Sequence, residues 1–226
     1  MQYIKISDQN LADSYLSSAI INHLEKNRHV VWIVSGGSNV PISVKVLNQL
    51  PEDKLTRLTV MLGDERYLEF GNPQTNQKKL EDAKFDFHKV AFVPILSSGN
   101  LSVDKTAANF ETAVNNIFSK AEVIIGQFGI GADGHTAGIL PHSPAADVHD
   151  RLVTYYRAPD YVRITLTFEA LKKINEAYIY VFGETKRQVL EQLDEKYTSL
   201  SDVPAQIYKY YINDSFIIND LVGESV

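Results

Sequence analysis

One glycine-rich segment carries an acid and a base two residues apart. Asp133 and His135 lie in the octapeptide GIGADGHT at residues 129–136. Histidine readily takes up and releases a proton near neutral pH, and a neighbouring carboxylate can orient its ring. Glycine lets the backbone turn tightly and approach a ligand closely. The segment therefore predicts a loop for acid–base chemistry; the alternative is a tight turn whose histidine merely caps a neighbouring group.

The same segment also spells G-x-G-x-x-G, through Gly129, Gly131 and Gly134. A dinucleotide site built on this pattern needs a strand before it and a long helix after it. An apolar run does precede it, but Pro141 and Pro144 follow closely and disfavour the helix. We therefore expect no nicotinamide cofactor, and we assign Gly131, Gly134 and Thr136 to the loop itself.

A second glycine-containing turn has the composition of an anion site. Residues 35–38, Ser-Gly-Gly-Ser, separate a predicted strand from a predicted helix. Exposed amides, hydroxyl groups and the positive end of a helix together attract a phosphate or carboxylate. Gly36, Gly37 and Ser38 are the candidate contacts, and a plain tight turn is the alternative.

Three basic residues are candidates to neutralise a bound anion. Arg66 ends a predicted strand, Arg163 lies within an apolar one, and Lys186 begins a predicted helix. Arginine suits bidentate recognition of phosphate or carboxylate, and lysine supplies a point charge. The alternatives are a solvated loop for Arg66, an edge strand facing solvent for Arg163 and a solvated side chain for Lys186.

Composition excludes several classes of function. A net charge of −6 argues against a nucleic-acid surface, which needs clustered basic residues. The absence of cysteine excludes disulfides, thiolate catalysis and cysteine-ligated zinc. His142 and His149 lie near two aspartates, but their spacing matches no metal-ligand pattern, so we expect no metal. With neither a signal-peptide pattern nor a membrane-spanning apolar run, we expect a cytoplasmic protein without a membrane partner.

Strands that alternate with helices predict a single α/β domain over residues 1–226. We expect one doubly wound, mostly parallel, Rossmann-like sheet with helices on both faces. The predicted strands are 30–34, 58–62, 90–96, 123–128, 152–156, 162–166, 178–182 and 215–218; the predicted helices are 11–24, 41–50, 74–80, 102–118, 168–174 and 184–193. Ligands bind beyond the carboxyl ends of such strands. We therefore expect residues 35–38, 63–66, 129–136 and 183–186 to meet at that edge.

In this order, the pieces resemble the 6-phosphogluconolactonase family, part of a wider group with glucosamine-6-phosphate deaminase. The resemblance spans nearly the whole chain and is carried by SGGS at 35–38, GDER at 63–66, NPQTN at 72–76, GIGADGHTA at 129–137, RITLT at 163–167 and GETK at 183–186. It implies hydrolysis of 6-phospho-D-glucono-1,5-lactone in the pentose phosphate pathway, without a metal or organic cofactor.

The resemblance also implies residue roles. The catalytic histidine of the family corresponds to His135, with Asp133 beside it, and the Ser-Gly-Gly loop and Lys186 correspond to its phosphate contacts. Asn76 is a further predicted substrate contact, in a Thr-Asn pair where the family commonly has Ser-Asn. We predict that His135 takes a proton from the attacking water and that Asp133 orients the imidazole. Arg66 and Arg163 are candidates for the phosphate, the sugar or a developing oxyanion.

Departures from the family pattern keep alternatives open. Asn39 and Val40 intervene before Pro41, which leaves the register of the phosphate loop open. The deaminases have a glutamate five residues after the loop histidine, where this chain has Leu140, so their chemistry lacks a participant here. A non-catalytic sugar-phosphate-binding module is the other alternative. We expect a monomer that binds a small phosphorylated sugar lactone.

Overall fold

The computed structural model describes residues 1–99, 101–195 and 197–225. Eleven strands are assigned within these ranges: β1 Gln2–Lys5, β2 Val30–Val34, β3 Leu58–Leu62, β4 Asp64–Arg66, β5 Ala91–Val93, β6 Val123–Gly129, β7 Val153–Arg157, β8 Val162–Leu166, β9 Glu176–Val181, β10 Asp214–Asn219 and β11 Glu224–Ser225. The α-helices are α1 Ala12–Glu25, α2 Val40–Gln49, α3 Asn76–Asp82, α4 Val103–Phe118, α5 Phe168–Leu171, α6 Arg187–Asp194 and α7 Ile207–Tyr210.

The main sheet is parallel and doubly wound, which confirms the predicted fold class. Its strand order is β11-β1-β10-β9-β6-β2-β3-β5, and every pairing in it is parallel. The chain runs outward from β2 through β3 to β5, returns to β6 on the other side of β2, and continues outward to β9. Right-handed crossovers in opposite directions place helices on opposite faces. The reversal creates a crevice between the carboxyl ends of β2 and β6.

The central strands are buried on both sides, as continuous apolar runs in a parallel sheet require. All five residues of β2 are buried, and Trp32 is fully enclosed. Helix α1 covers the sheet through Leu16, Ile20 and Leu24, which are also fully buried. Their spacing of four residues places them on one helix face, so these elements formed as their apolar patterns predicted.

A second, smaller sheet was not predicted. Strands β4, β8 and β7 form an antiparallel sheet in that order. The chain leaves the main sheet at Gly63, whose N–H donates to Val34 O and whose carbonyl accepts from Leu166 N. In this sheet Arg66 is directly opposite Arg163. The second sheet therefore brings two distant arginines to the end of β3.

Several predicted bounds shift for local reasons. The predicted strand 90–96 is reduced to Ala91–Val93, since Pro94 has no N–H to donate to a ladder. The helix predicted over 184–193 begins with a 3₁₀ turn, Glu184–Lys186, before α6. Thr167 caps α5, its Oγ1 accepting from Ala170 N at 3.4 Å. None of the helices in the described ranges is long and apolar enough to cross a membrane.

Candidate active site

The four segments predicted to meet do so around one cleft of about 490 Å³, at the carboxyl edge of the main sheet. Most of the candidate site residues line it, namely Gly36, Gly37, Ser38, Arg66, Asn76, Gly131, His135, Arg163 and Lys186. Asp133, Gly134 and Thr136 are not among the lining residues. The cleft opens beside the crevice between β2 and β6, where a doubly wound sheet binds its ligands.

Asp133 and His135 form a hydrogen-bonded pair in the loop of residues 129–136, the His135 loop. His135 Nδ1 lies 2.6 Å from Asp133 Oδ1, which also accepts from the His135 backbone N–H at 3.2 Å. Burial raises the pKa of the Asp133 carboxyl, but the charge and hydrogen bonds of His135 outweigh it and the net pKa is lowered. An ionised carboxylate is an acceptor only, so Nδ1 carries the proton and Nε2 is left to accept one.

Glycine makes room for this pair. A Cβ on Gly131 would overlap His135 Nδ1 and Asp133 Oδ1. Gly134 has a φ of +84°, which side-chain-bearing residues rarely adopt. The loop closes through Gly131 N donating to His135 O at 2.8 Å and Gly134 N donating to Gly131 O at 3.0 Å. The glycine spacing in the sequence therefore reflects the space and the turn that the acid–base pair needs.

Thr136 anchors the His135 loop through its hydroxyl group. Its hydroxyl is buried, donates to Gly129 O at 2.9 Å and lies 2.5 Å from the hydroxyl of Tyr208. The bond to Gly129 ties the end of the loop to its beginning. Thr136 is thus a structural member of the loop, and the sequence held no signal for its partner Tyr208.

Residues 35–39, the anion loop, turn directly into helix α2. Gly37 has a φ of +68° and begins a 3₁₀ turn, Gly37–Asn39. Asn39 ends that turn and Val40 begins α2, so Pro41 still falls in the first turn of the helix. Asn39 and Val40, the two residues that intervene before Pro41, are thus part of the 3₁₀ turn and of α2. The anion loop remains at the helix N-terminus, where free amides and the helix dipole favour an anion.

Asn76 packs against the anion loop and is fixed by a buried carboxylate. A Cβ on Gly36 would overlap Asn76 Oδ1, and Asn76 Nδ2 donates to Asp64 O at 2.9 Å. Glu65 is fully buried and accepts backbone N–H groups from Arg66 at 2.7 Å, Asn76 at 2.6 Å and Gln77 at 2.9 Å. Burial raises the pKa of Glu65 to about 7, although those three hydrogen bonds lower it. Sequence reasoning missed this role, which depends on where α3 packs.

The two arginines reach the cleft with part of their hydrogen-bonding capacity used. Arg66 Nη1 donates to Gln74 O at 2.8 Å, and Arg163 Nη2 donates to Asp160 Oδ2 at 2.7 Å. The Nε of each is buried without a hydrogen-bond partner in the described part of the chain. The Arg163 side chain is only 10% exposed, so the alternative that it faces solvent is wrong.

Asp64 is a cleft residue that the sequence analysis did not single out. Its Oδ2 lies 3.8 Å from Arg163 Nη1, and it lines the cleft although it is largely buried. Burial raises its pKa against the lowering effect of the nearby charges of Arg66 and Arg163. Its position directly after Gly63, at the end of a strand, was the available signal.

Lys186 lies against the His135 loop. Its Nζ donates to Ile130 O at 2.8 Å, one residue before Gly131. The ammonium therefore lines the cleft beside His135, and its two other N–H groups leave it able to meet an anion.

The remaining histidines of the sequence analysis do not gather ligands. His142 Nδ1 lies 3.8 Å from Asp202, and His149 Nδ1 lies 3.7 Å from Glu169. Among the described residues, no group of three or more histidines, aspartates and glutamates is arranged to hold a metal ion.

Comparison with known proteins identifies the family. The family model described as glucosamine-6-phosphate isomerases/6-phosphogluconolactonase matches residues 8–214. This chain belongs to that family. Among its relatives, the 6-phosphogluconolactonase of Nostoc sp. is 30% identical over 182 residues, or 75% of this chain and 72% of that protein. The 6-phosphogluconolactonase of Synechocystis sp. is 24% identical over 213 residues, or 89% of this chain and 86% of that one.

Solved structures of both branches of the family share the fold. The 6-phosphogluconolactonase of Leishmania guyanensis superposes with a TM-score of 0.80 at 20% identity, covering 97% of this chain and 96% of that one. A monomeric glucosamine-6-phosphate deaminase superposes with a TM-score of 0.75 at 13% identity, covering 97% of each. The fold alone therefore does not separate the two chemistries, and the choice between them depends on individual residues.

Proposed function

We propose that this chain hydrolyses 6-phospho-D-glucono-1,5-lactone to 6-phosphogluconate, a step of the pentose phosphate pathway, as a 6-phosphogluconolactonase. The observation that carries the proposal is the His135–Asp133 pair, whose Nδ1 and Oδ1 lie 2.6 Å apart and whose imidazole lines the same cleft as the anion loop. An acid–base group and an anion site in one cleft suit a substrate with a reactive carbonyl and a phosphate. The names of the sequence relatives agree with this activity.

His135 acts first as a base and then as an acid. Its Nε2 takes a proton from water as the water oxygen attacks the lactone carbonyl, which gives a tetrahedral intermediate. When the bond from that carbon to the ring oxygen breaks, Nε2 returns the proton to the departing oxygen, and the open-chain acid is formed. Asp133 holds Nδ1–H throughout and stabilises the imidazolium between the two steps.

The phosphate and the developing oxyanion need positive partners. The amides and hydroxyl of Gly37 and Ser38 at the start of α2 receive the phosphate, together with Lys186, which lines the same cleft. Arg66 and Arg163 then remain for the sugar or for the oxygen that gains charge during attack, where a fixed donor lowers the barrier. The ligand is a small phosphorylated lactone, and we propose that the chain acts as a monomer.

A paired assay tests the proposed function. Purified protein is given the phosphorylated lactone, with spontaneous hydrolysis subtracted, and separately glucosamine 6-phosphate with ammonia detection. We expect lactone turnover and no ammonia, because Leu140 stands where the deaminases have glutamate and a leucine carries no proton. Ammonia release without lactone turnover would assign the chain to the other branch, and binding without turnover would make it a sugar-phosphate-binding module.

Replacing His135 tests the acid–base role. His135→Ala should reduce kcat by about 10²–10⁴-fold, the usual contribution of a positioned acid–base group, with unchanged folding by circular dichroism. His149→Ala is the matched control, because this histidine is 68% exposed and is not among the residues lining the cleft. Wild-type turnover in His135→Ala would remove His135 from the mechanism.

A further inference from the structure

A buried glutamine lies between the two loops that border the cleft. Gln127 belongs to β6, in the otherwise apolar stretch VIIGQFG, and it is fully buried. It is not among the residues that line the cleft. Because burying an amide without hydrogen bonds is unfavourable, a glutamine in the middle of a sheet is retained through its partners.

The side chain of Gln127 holds the start of helix α2. Its Nε2 donates to Asn39 O at 3.2 Å, and its Oε1 accepts from Ser43 Oγ at 3.0 Å. Ser43 Oγ also lies 3.2 Å from Asn39 O. Gln127, Ser43 and Asn39 therefore form a closed buried network at the point where the anion loop becomes a helix.

The backbone of Gln127 holds the other end of the anion loop. Paired register between β2 and β6 ends at Ile33 and Gly126. Just beyond it, Ser35 Oγ donates to Gln127 O at 2.8 Å. The first and last residues of the anion loop, Ser35 and Asn39, are thus both bonded to Gln127.

The same residue is close in sequence to the His135 loop. Gly129 follows two positions later and begins that loop, and a Cβ there would lie 2.8 Å from Asn39 Nδ2. The Asn39 side chain therefore packs directly on the start of the His135 loop. Through β6, any displacement of Gln127 changes the placement of one loop relative to the other.

We propose that Gln127 is a positioning residue that fixes the anion loop against the His135 loop, so that a phosphate bound by the first places the lactone carbonyl at the second. This inference rests on the proposed function. Gln127 touches neither the substrate nor the reacting atoms in this scheme. It acts through Asn39, Ser43 and Ser35.

The test is Gln127→Met, which keeps the length of the side chain but makes neither hydrogen bond. We expect the KM for the phosphorylated lactone and the inhibition constant of inorganic phosphate to rise together by about tenfold, as two lost hydrogen bonds allow. Because a displaced anion loop would also hold the lactone carbonyl away from His135, kcat should fall as well, by about tenfold or more. A purely structural role would lower thermal stability and leave KM and phosphate inhibition unchanged.

Ser43→Ala supplies the second arm. It removes the hydroxyl partner of Gln127, so it should weaken phosphate inhibition less than Gln127→Met does. The double variant should be weakened by less than the product of the two single effects, because both act through one network. Gln127→Glu should not restore wild-type KM, since it keeps the acceptor for Ser43 and loses the donor to Asn39. Ser215→Ala, a buried hydroxyl on β10, is the control that should leave KM unchanged.

Two results would overturn the proposal. The first is Gln127→Met with KM and phosphate inhibition within about twofold of wild type; the second is independent, multiplicative effects of Gln127→Met and Ser43→Ala. If Gln127→Met does not fold, Ser43→Ala and Gln127→Glu still decide it by the same measurements. If the wild type does not hydrolyse the lactone, the proposed function fails, while calorimetric binding of inorganic phosphate to the same variants still tests Gln127. Absence of phosphate binding by the wild type would overturn the inference as well.

Discussion

At the scale of single residues, the site depends on the missing side chain of Gly131 as much as on the side chains of His135 and Asp133. The imidazole of His135 and the carboxylate of Asp133 occupy the volume that a Cβ on Gly131 would fill. The loop that holds the two side chains could be predicted from the sequence, because a carboxylate two residues before a histidine, between glycines, indicates a tight loop. The hydrogen-bond partners of two site residues could not be predicted. Thr136 meets Tyr208, and Asn76 meets Glu65, only because the elements that carry them pack together.

Gly131→Ala should therefore abolish the acid–base pair without unfolding the protein. The φ of Gly131 is not in the left-handed region, so alanine suits the backbone, and the added methyl group displaces His135 and Asp133 instead. We expect kcat to fall by about 10²–10³-fold, close to the effect of removing the base. The measurement is steady-state lactone hydrolysis, with circular dichroism to check folding.

Gly99→Ala is the matched control for this substitution. Among the described residues other than its chain neighbours, a Cβ there would meet nothing nearer than Ser97 Oγ at 3.9 Å, so full activity is expected. Wild-type kcat in Gly131→Ala would show that the pair tolerates displacement and does not act as proposed.

Lys186→Ala should act on binding. The ammonium lines the cleft and donates to Ile130 O, so its loss removes a charge without removing the base. We expect KM for the phosphorylated lactone to rise by about tenfold or more, as for a charged hydrogen bond, with a smaller change in kcat. Lys105→Ala, an exposed lysine on α4, is the control, and an unchanged KM in Lys186→Ala would exclude a phosphate contact.

At the scale of elements, the sequence predicted correctly those strands whose own apolar pattern is enough to indicate a strand. Strands 30–34, 58–62 and 162–166 were predicted with the bounds observed, because each is an apolar run that fits a buried strand. Strand β4 consists of three charged residues, and it is a strand only because β8 pairs with it. The second sheet was missed for that reason, and with it the pairing of Arg66 with Arg163.

Glu65 connects two of these elements and should make stability depend on pH. Its folded-state pKa of about 7 lies above the ordinary value of 4.5, so the folded state binds its proton more tightly than the unfolded state. The stability from this group is fully present below pH 4.5 and is lost as the pH rises through 7. At about 1.4 kcal/mol per pKa unit, the full loss is about 3 kcal/mol.

The comparison for this prediction is Glu65→Gln, which does not titrate. Subtracting the unfolding free energy of Glu65→Gln from that of the wild type should give a difference that falls between pH 4 and 8 by about 3 kcal/mol. Denaturant unfolding at several pH values measures it. A difference that rises with pH would mean that the three backbone hydrogen bonds outweigh burial.

At the scale of the whole molecule, the cleft is lined by several positive charges although the protein as a whole is negatively charged. The protein carries a net charge of −6, yet Arg66, Arg163, Lys186 and Lys45 all line one cleft. A cleft with one predominant sign of charge concentrates ligands of the opposite sign. Net charge argues against a nucleic-acid surface, which stays a prediction, but it gave no information about an anionic small molecule. The assignment of residues 1–226 to a single domain stays a prediction.

The two edges of the main sheet have different roles. The cleft lies at the carboxyl edge, whereas the amino edge carries a partly buried polar cluster at the start of β9. There His23 Nε2 lies 2.6 Å from Glu176 Oε1, Arg28 Nη1 lies 3.1 Å from His23 Nδ1, and Tyr178 donates to Glu176 Oε2 at 3.0 Å. None of these residues lines the cleft, so the cluster should matter for stability and not for turnover.

His23→Ala tests this division. The substitution leaves the Glu176 carboxylate, only 20% exposed, with one partner fewer, and such a loss costs about 1–3 kcal/mol. Denaturant unfolding should show that decrease, while kcat and KM measured well below the melting temperature stay at wild-type values. Lys186→Ala should show the reverse, with KM raised and the unfolding free energy nearly unchanged, because within the described residues its ammonium makes one hydrogen bond, to Ile130 O. A raised KM in His23→Ala would mean that the sheet transmits changes from one edge to the other, so that stability and catalysis in this fold are not separable by position.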